Sequence, residues 1–462
     1  MKVTSVDALL GFTQALAIAM SMAFVTYVFL IVVPFLRRRP APTADPGNWE
    51  WHFLIPCRDE EAVIGGTIRY LRATFPIAHL WIIDDDSDDD TMRVVLDCQG
   101  RDAATPDEYV HLVRRRRPDA RLGKGEALNA GYRAVKAWTG SDTDADGVIV
   151  GVVDADGRPA PNCLGVCAGG QLFGDPDIGA VQIDVRMSNR GEAQRHGGAF
   201  RRWRGALLVR MQDLEFRSAI AAIQYSRKFT GTISMGGNGQ FTRLSALDSI
   251  AGEEGRPWGG CLLEDFELGV HLLTVGWRTG FSNETYVDQE GLYSLRRFLA
   301  QRTRWSQGTM QCARYVRRIW NSDHLRTAGA AEMIYYLAQP WMQLVGSLVY
   351  PIPMIVLTVR TIQHPQVTWS WLGDGAWMFF AVYGTIGIIP FVIWGPIYWK
   401  YCERQGSILR GFAWGLAYAL YIYTFYITSW RALARLVRGQ NGWAKTRRNA
   451  QETHVGTAAV EH

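Results

Sequence analysis

Apolar and polar positions divide this chain into blocks before any motif is considered. Residues 8 to 36 run without a charged side chain, which exceeds the roughly 20 residues an α-helix needs to cross a bilayer. A second apolar region begins near Met333 and contains three candidate spans, about 333–359, 375–399 and 409–430. Trp and Tyr fall near several of their ends, where membrane interfaces favour amphipathic rings. Residues 45 to 330 hold most of the charge and read as one water-soluble domain. The pattern predicts a membrane anchor and linker over 1–44, a soluble domain over 45–330 with interfacial helices near its end, a transmembrane region over 331–430 and a basic tail over 431–462.

Inside the soluble domain, short buried runs alternate with helical spacing. His52 to Ile55 reads as a strand ending at Pro56, Glu61 to Phe75 as a helix, and Leu80 to Ile83 as a second strand. Tyr109 to Val113, Gly125 to Trp138 and Val148 to Val153 continue as strand, helix and strand. Such alternation predicts parallel βαβ units, a Rossmann-like α/β fold with helices on both faces of the sheet. Ligands of these sheets bind beyond the carboxyl ends of the strands. Cys57, Asp84-Asp85 and Asp154-Ala155-Asp156 all fall there.

Composition adds the environment. The chain has 462 residues, too many for one ordinary domain, and its 48% hydrophobic share averages two unlike regions. A net charge of +5 is small and its basic clusters lie beside apolar segments, so membrane lipids with anionic headgroups are favoured as partners over nucleic acid. Seven cysteines form no paired CxxC pattern, which reads as a reduced, cytoplasmic domain without structural zinc. The first apolar stretch lacks a basic leader and is followed by Arg37-Arg38-Arg39. It therefore reads as a retained anchor, with the soluble domain on the cytoplasmic side of a multi-pass cell-membrane protein. One crossing before the domain and three after it would put Arg431, Arg435, Arg438, Lys445, Arg447 and Arg448 outside, against the charge rule. Either the tail is external or one C-terminal segment is re-entrant or interfacial, and Pro340, Pro351, Pro353, Pro390 and Pro396 offer places to break a helix.

Each chemical motif has a bland reading beside the sharp one. The run Asp84 to Asp90 is acidic enough to be a solvated loop, yet a carboxylate held at a strand end accepts from a base or ribose. Asp154-Ala155-Asp156 is a common tripeptide, but two hard carboxylates suit Mg²⁺ or Mn²⁺ with diphosphate oxygens completing the shell. Lys124 opens a helix in Gly123-Lys124-Gly125, where cation and helix N-terminus both meet an anion; the glycine spacing is not that of a Walker loop. Glu264-Asp265 either stabilises a helix N-terminus through the dipole or supplies a base that takes a proton from a sugar hydroxyl. In Gln301 to Trp305 the arginines either snorkel at a membrane surface or grip a diphosphate while the indole stacks on a sugar ring.

Taken in order, these blocks resemble the membrane-bound, inverting family-two glycosyltransferases, which include cellulose, chitin, hyaluronan and poly-N-acetylglucosamine synthases. "IPCRDEE" is similar to the family's Pro-x-x-Asn-Glu turn, "IIDDDSDDDT" to its Asp-Asp-Gly-Ser turn and "GKGEALNAG" to its Lys-x-x-Ala-Leu-Asn block. "VVDADGRPAP", "LLEDFELGVHL" and "QRTRW" resemble its Asp-x-Asp, Glu-Asp and Gln-x-x-Arg-Trp blocks. Together they cover roughly residues 50 to 310. The resemblance implies a GT-A glycosyltransferase domain inserted between an N-terminal transmembrane helix and a C-terminal group of about three. It implies that Pro56, Cys57, Glu60, Asp84, Asp85, Lys124 and Asp154 bind the nucleotide sugar, with Asp85 at the uridine. Asp156 would hold Mg²⁺ or Mn²⁺ and Asp265 would be the general base. Glu264, Gln301, Arg304 and Trp305 would serve the diphosphate and the acceptor. Asp59 replaces the usual Asn and Asp86 the usual Gly, which leaves the base and the sugar open. "SMGGNGQFTR" (234–243) matches the place where the family lines its acceptor site.

The implied reaction is an in-line, inverting displacement from a nucleotide-diphosphate sugar, with UDP the expected nucleotide. The leading expectation is a processive synthase that exports a β-linked glycan, with Trp414, Tyr418, Tyr421, Tyr423 and Tyr426 along its path or facing lipid. The alternative is a glycosyltransferase that adds one or a few sugars to a membrane lipid. A degenerate scaffold or transporter is disfavoured, since every expected catalytic position is filled.

Overall fold

The computed structural model describes residues 5–40, 42–100, 107–192, 198–404, 406–440 and 442. Lys445, Arg447 and Arg448 of the tail lie outside the described residues. A long apolar helix, α1 (Ser5–Leu36), precedes an alternating series: β1 (Glu50–Cys57), α2 (Ile64–Thr74), β2 (Ala78–Asp85), α3 (Thr91–Gln99), β3 (Val110–Arg115), α4 (Lys124–Thr139) and β4 (Val148–Val152). There follow β5 (Arg158–Pro159), α5 (Cys163–Cys167), β6 (Ile178–Met187), α6 (Ala199–Leu214), a π-helical turn (Glu215–Ile220) and α7 (Ala221–Thr230). The domain continues through β7 (Gln240–Arg243), α8 (Leu244–Ile250), α9 (Glu264–Thr274), β8 (Arg278–Gln289), α10 (Leu295–Cys312) and α11 (Val316–Trp320). The last part is helical: α12 (Thr327–Val349), α13 (Pro351–Gln363), α14 (Pro365–Trp371), α15 (Trp377–Val392), α16 (Trp394–Tyr398) and α17 (Ile408–Val437).

Eight strands form one mixed sheet in the order β3-β2-β1-β4-β7-β6-β8-β5. The first four are parallel, as the alternation predicts, with Cys57 opposite Asp84 and Asp85 opposite Arg115. The purely parallel expectation does not extend further. β7 runs antiparallel to both β4 and β6, and β5 antiparallel to β8, while β6 and β8 pair in parallel. The physical reason is where the chain enters: the Gly239 amide donates to the Val152 carbonyl at the carboxyl end of β4, so β7 starts there and runs back along β4. Side chains of β1, β2 and β4 are buried almost without interruption, as expected for strands covered on both faces. α4 lies tight on the sheet because Gly131 lacks a side chain; a Cβ there would sit 2.5 Å from Ile83 Cδ1.

Two helices among the described residues are long and apolar enough to cross a membrane, Gly11–Leu36 and Thr327–Gln363. The second replaces the 333–359 candidate with a longer, proline-interrupted pair, α12 and α13. The 375–399 candidate is divided among α15, α16 and a following π-helical turn, and the 409–430 candidate lies within α17, whose sequence mixes Gly, Tyr, Thr and Ser with its apolar residues.

Candidate active site

Strand ends of the parallel half and the first turns of two helices converge on one cleft. Lys124, the first residue of α4, reaches across it: Nζ donates to Asp154 Oδ1 at 2.6 Å and to the Gly237 carbonyl at 2.5 Å. Burial works against this charge, yet Asp154 and Glu264 outweigh it and hold the lysine pKa above its ordinary value. Opposite, α9 begins with Glu264 and Asp265. A Cβ at Gly125 would lie 3.3 Å from Glu264 Cβ, and one at Gly237 would lie 3.2 Å from Asp265 Oδ2. Glycine at both positions leaves room for this approach, and at Gly125 a Cβ would also meet the Gly259 carbonyl at 2.8 Å. Burial raises the pKa of both carboxyl groups, each in the other's field, and Lys124 and Arg304 act in the opposite direction.

Gln301, Arg304 and Trp305 enter from α10. They line the same cavity as Lys124, Asp154, Glu264 and Asp265. Arg304 Nε makes no hydrogen bond among the described residues, and the guanidinium lies in the field of both acids. One side of Trp305 is covered: the Arg302 guanidinium sits 4.3 Å from the indole and Phe216 meets it edge-on at 6.2 Å.

The remaining sequence-predicted residues lie along the strand ends, outside the wall of this cavity. Pro56 and Cys57 end β1, and the Cys57 thiol is buried and donates to the Ile55 carbonyl. Glu60 shapes the turn that follows; its amide donates to Thr91 Oγ1 at 2.7 Å. Asp84 is 1% exposed and meets Arg116 Nη1 at 3.1 Å. Asp85 accepts from the Arg115 side chain and from the Arg121 amide at 3.1 Å; burial raises its pKa against these donors. The two departures from the family pattern both sit in left-handed backbone, Asp59 at φ 50° and Asp86 at φ 62°. Asp and Asn tolerate that region better than most side chains, and Asp86 is further held by Arg117 at 2.9 Å and Arg121 at 3.1 Å.

Asp156 Oδ2 accepts from the Glu290 amide at 3.1 Å. Among the described residues no three His, Cys, Asp or Glu side chains converge as a ready-made metal cage. Hard carboxylates at Asp154 and Asp156 nonetheless fit a Mg²⁺ or Mn²⁺ whose shell is completed by diphosphate oxygens and water.

Several site residues carry no motif signal. Gln182 on β6 holds the 234–239 loop at two points, donating to the Asn238 carbonyl at 2.9 Å and accepting from the Gly236 amide at 2.7 Å. Asn238 accepts from the Asp154 amide at 3.2 Å. Glu215 and Arg302 form a buried ion pair beneath Trp305. Arg302 lies inside the Gln301–Trp305 pentad, which was the only hint of it. Of the aromatic residues expected along an export path, Tyr418, Tyr423 and Tyr426 line the cavity. Trp414 instead packs edge-on against Tyr398, and the Tyr421 hydroxyl is bound to Glu215.

A mixed α/β sheet with this cleft at its strand ends is the GT-A glycosyltransferase fold. The chain belongs to the family described as "Glycosyltransferase like family 2", whose profile matches residues 50–308, more than half of its length. Over 264 residues it is 30% identical to a beta-monoglucosyldiacylglycerol synthase of Synechocystis sp., covering 56% of this chain and 47% of that protein. It is 25% identical to the probable glycosyltransferase YdaM of Bacillus subtilis, over 55% and 54% of the two chains. The chain thus spans about half the length of the curated relatives it matches. In fold it is similar to a mannosyltransferase from Pyrobaculum calidifontis, solved in complex with GDP-Man and Mn²⁺, with a TM-score of 0.56 at 16% identity over 94% of this chain and 99% of that one.

Proposed function

We propose that this glycosyltransferase moves a sugar from a nucleotide-diphosphate donor to the hydroxyl of a lipid held in the membrane, with inversion at the anomeric carbon. The observation that carries this reading is one cavity of about 870 Å³ that joins the acids to the helical part of the chain. Its wall includes Lys124, Asp154 and Asp265 and also Phe24, Ile31, Ile223 and Phe391, from α1, α7 and α15. Apolar surface of this kind suits an acyl tail, whose head-group hydroxyl would face Asp265. The match to a monoglucosyldiacylglycerol synthase favours lipid transfer over the polymer expectation. The apolar helices α1 and α12–α13 would set the chain in the membrane, and Arg37-Arg38-Arg39 would keep the site on the cytoplasmic side.

The chain's own groups divide the work. Asp265 takes the proton from the acceptor hydroxyl as that oxygen attacks the anomeric carbon. Arg304 and Lys124 bear on the diphosphate as negative charge develops there. Asp154 and Asp156 would hold Mg²⁺ or Mn²⁺, which when bound supplies further charge neutralisation at the leaving group. Asp84 and Asp85, held by Arg116 and Arg115, would meet the nucleoside.

A second reading, polymer synthesis, draws on Tyr418, Tyr423 and Tyr426 in the cavity wall. One experiment separates the two. Purified enzyme depleted of lipid is given a panel of radiolabelled nucleotide sugars with and without added lipid acceptors. Lipid transfer predicts a solvent-extractable product that needs the acceptor; a long water-soluble polymer from donor alone overturns it.

A further inference from the structure

Three acids share a group of arginines where β6 meets the helices, and of the three Asp184 alone lines the cavity. Asp213, on α6, accepts from Arg217 at 3.1 Å and from the Met187 amide at 2.8 Å. Glu403, after α16, is held by Arg210 at 2.7 Å, Arg190 at 3.3 Å and Arg217 at 3.4 Å. Asp184, on β6, has no such grip. Among the described residues its ion-pair partner within 4.0 Å is Arg186, at 3.8 Å, beyond hydrogen-bonding reach. The Asp213 side chain is sealed at 0% exposure, whereas 7% of the Asp184 side chain stays accessible. Burial lifts its carboxyl pKa to about 7 against the pull of Arg186, Arg217 and the Val185 amide. A buried acid with no cation in hydrogen-bonding reach, open to a chamber, has room for a donor from a ligand.

The strand register sets Asp184 near the reacting groups. β7 is antiparallel to both β4 and β6, so those two strands run the same way, and Val152, Gln240 and Gln182 stand in one row across them. Asp154 and Asp184 each lie two residues past that row, two strand spacings apart, which is about 10 Å. Gln182 and Asp184 project from the same face of β6. Gln182 holds the amide of Gly236, whose neighbour Gly237 abuts both Lys124 and Asp265. β6 also packs on the π-helical turn, whose Phe216 meets Trp305 edge-on at 6.2 Å.

Two features of one cavity wall select the ligand. Trp305 is backed by the Arg302 guanidinium and lines the chamber with Asp184. An aromatic face stacks on the C–H surface of a sugar ring, and a carboxylate accepts from the ring's hydroxyls. A phosphate headgroup would meet the Asp184 charge and a cationic one would meet Arg186 behind it, whereas hydroxyls bring no charge. Diacylglycerol has one hydroxyl, which the reaction itself uses at Asp265. We infer that Asp184 is a specificity-determining residue that binds hydroxyls of a sugar already carried by the acceptor, so that the preferred acceptor is a neutral glycolipid. This inference rests on the lipid-transfer reading and narrows it to a class of acceptor.

The test gives the full-length enzyme two acceptors with the same acyl chains, 1,2-diacylglycerol and β-monoglucosyl-diacylglycerol, beside the donor it turns over fastest. Wild type should favour the glycolipid roughly tenfold or more in kcat/KM, because an acceptor without the extra hydroxyls leaves a buried carboxyl unpaired. Asp184→Ala should raise the glycolipid KM about tenfold, with a smaller effect on kcat, and leave the diacylglycerol KM within about twofold. Asp184→Asn, which keeps the shape and one acceptor oxygen, should retain part of the preference. Normal nucleotide-diphosphate affinity shows that each variant is folded. Should the alanine variant lose that affinity, Asp184→Asn, whose preference must still fall severalfold, decides the matter. Equal use of the two acceptors by wild type, or an undiminished preference in the folded variants, overturns the subsite while leaving lipid transfer intact. A water-soluble polymer from donor alone, with no lipid product, overturns both.

Discussion

Arg302 and Glu215, 87 residues apart in sequence, meet in a two-point ion pair, Nη1 to Oε1 at 2.9 Å and Nη2 to Oε2 at 2.5 Å. Tyr421 of α17 donates to the same carboxylate at 2.5 Å. One pair therefore ties the π-helical turn, the motif helix α10 and the last helix together directly beneath Trp305. Removing one partner strands the other charge in a buried place, so Arg302→Met should cost about 3–5 kcal/mol, whereas Tyr421→Phe, which removes one hydrogen bond, should cost about 1 kcal/mol. Unfolding midpoints of the two variants check the ranking. Equal midpoints for Arg302→Met and wild type would show that the pair holds nothing.

In the proposed reaction Asp265 removes the acceptor proton and makes no contact with the donor's nucleoside. Asp265→Asn should lower transfer by roughly 10²–10⁴ and leave nucleotide-diphosphate affinity within a fewfold. Calorimetric titration of the nucleotide beside a transfer assay reads both, and near-normal turnover would remove Asp265 from the reaction.

Burial raises the Asp265 and Glu264 pKa values, and Lys124 opposes the rise. A base must be ionised to act, so activity should fall as pH drops through a value above the ordinary carboxylate range of about 4. Lys124→Met removes a charge that favours ionisation, and its acid limb should move to still higher pH. The pH profile of kcat/KM shows both effects; an acid limb near 4 in the wild type would contradict the burial argument.

Hard oxygen donors at Asp154 and Asp156 fit Mg²⁺ or Mn²⁺. Chelation should stop transfer and either ion should restore it, while Asp156→Ala should require far more metal for half-maximal rate. Full activity after metal stripping and in excess chelator would show that the carboxylates serve another purpose.

Much of this site is legible along the chain because its motifs are local. Residues at strand ends and helix starts, such as Asp84, Asp154, Lys124 and Asp265, occupy positions that short-range patterning sets. The parallel half of the sheet follows for the same reason, since each buried run and each amphipathic helix announces itself within about fifteen residues. The reversal at β7 was not legible, because strand direction depends on what pairs across space. Nor were the partners of Asp85, the clamp of Gln182 on the 234–239 loop or the Arg302–Glu215 pair. Those contacts join residues 30 to 87 positions apart, and no periodicity records which buried charge finds which partner. Folding brings α1, α7, α10 and α17 around a common chamber, and that enclosure, absent from any one segment, is what sets the paired acids Glu264 and Asp265 and the apolar helices in one cavity wall.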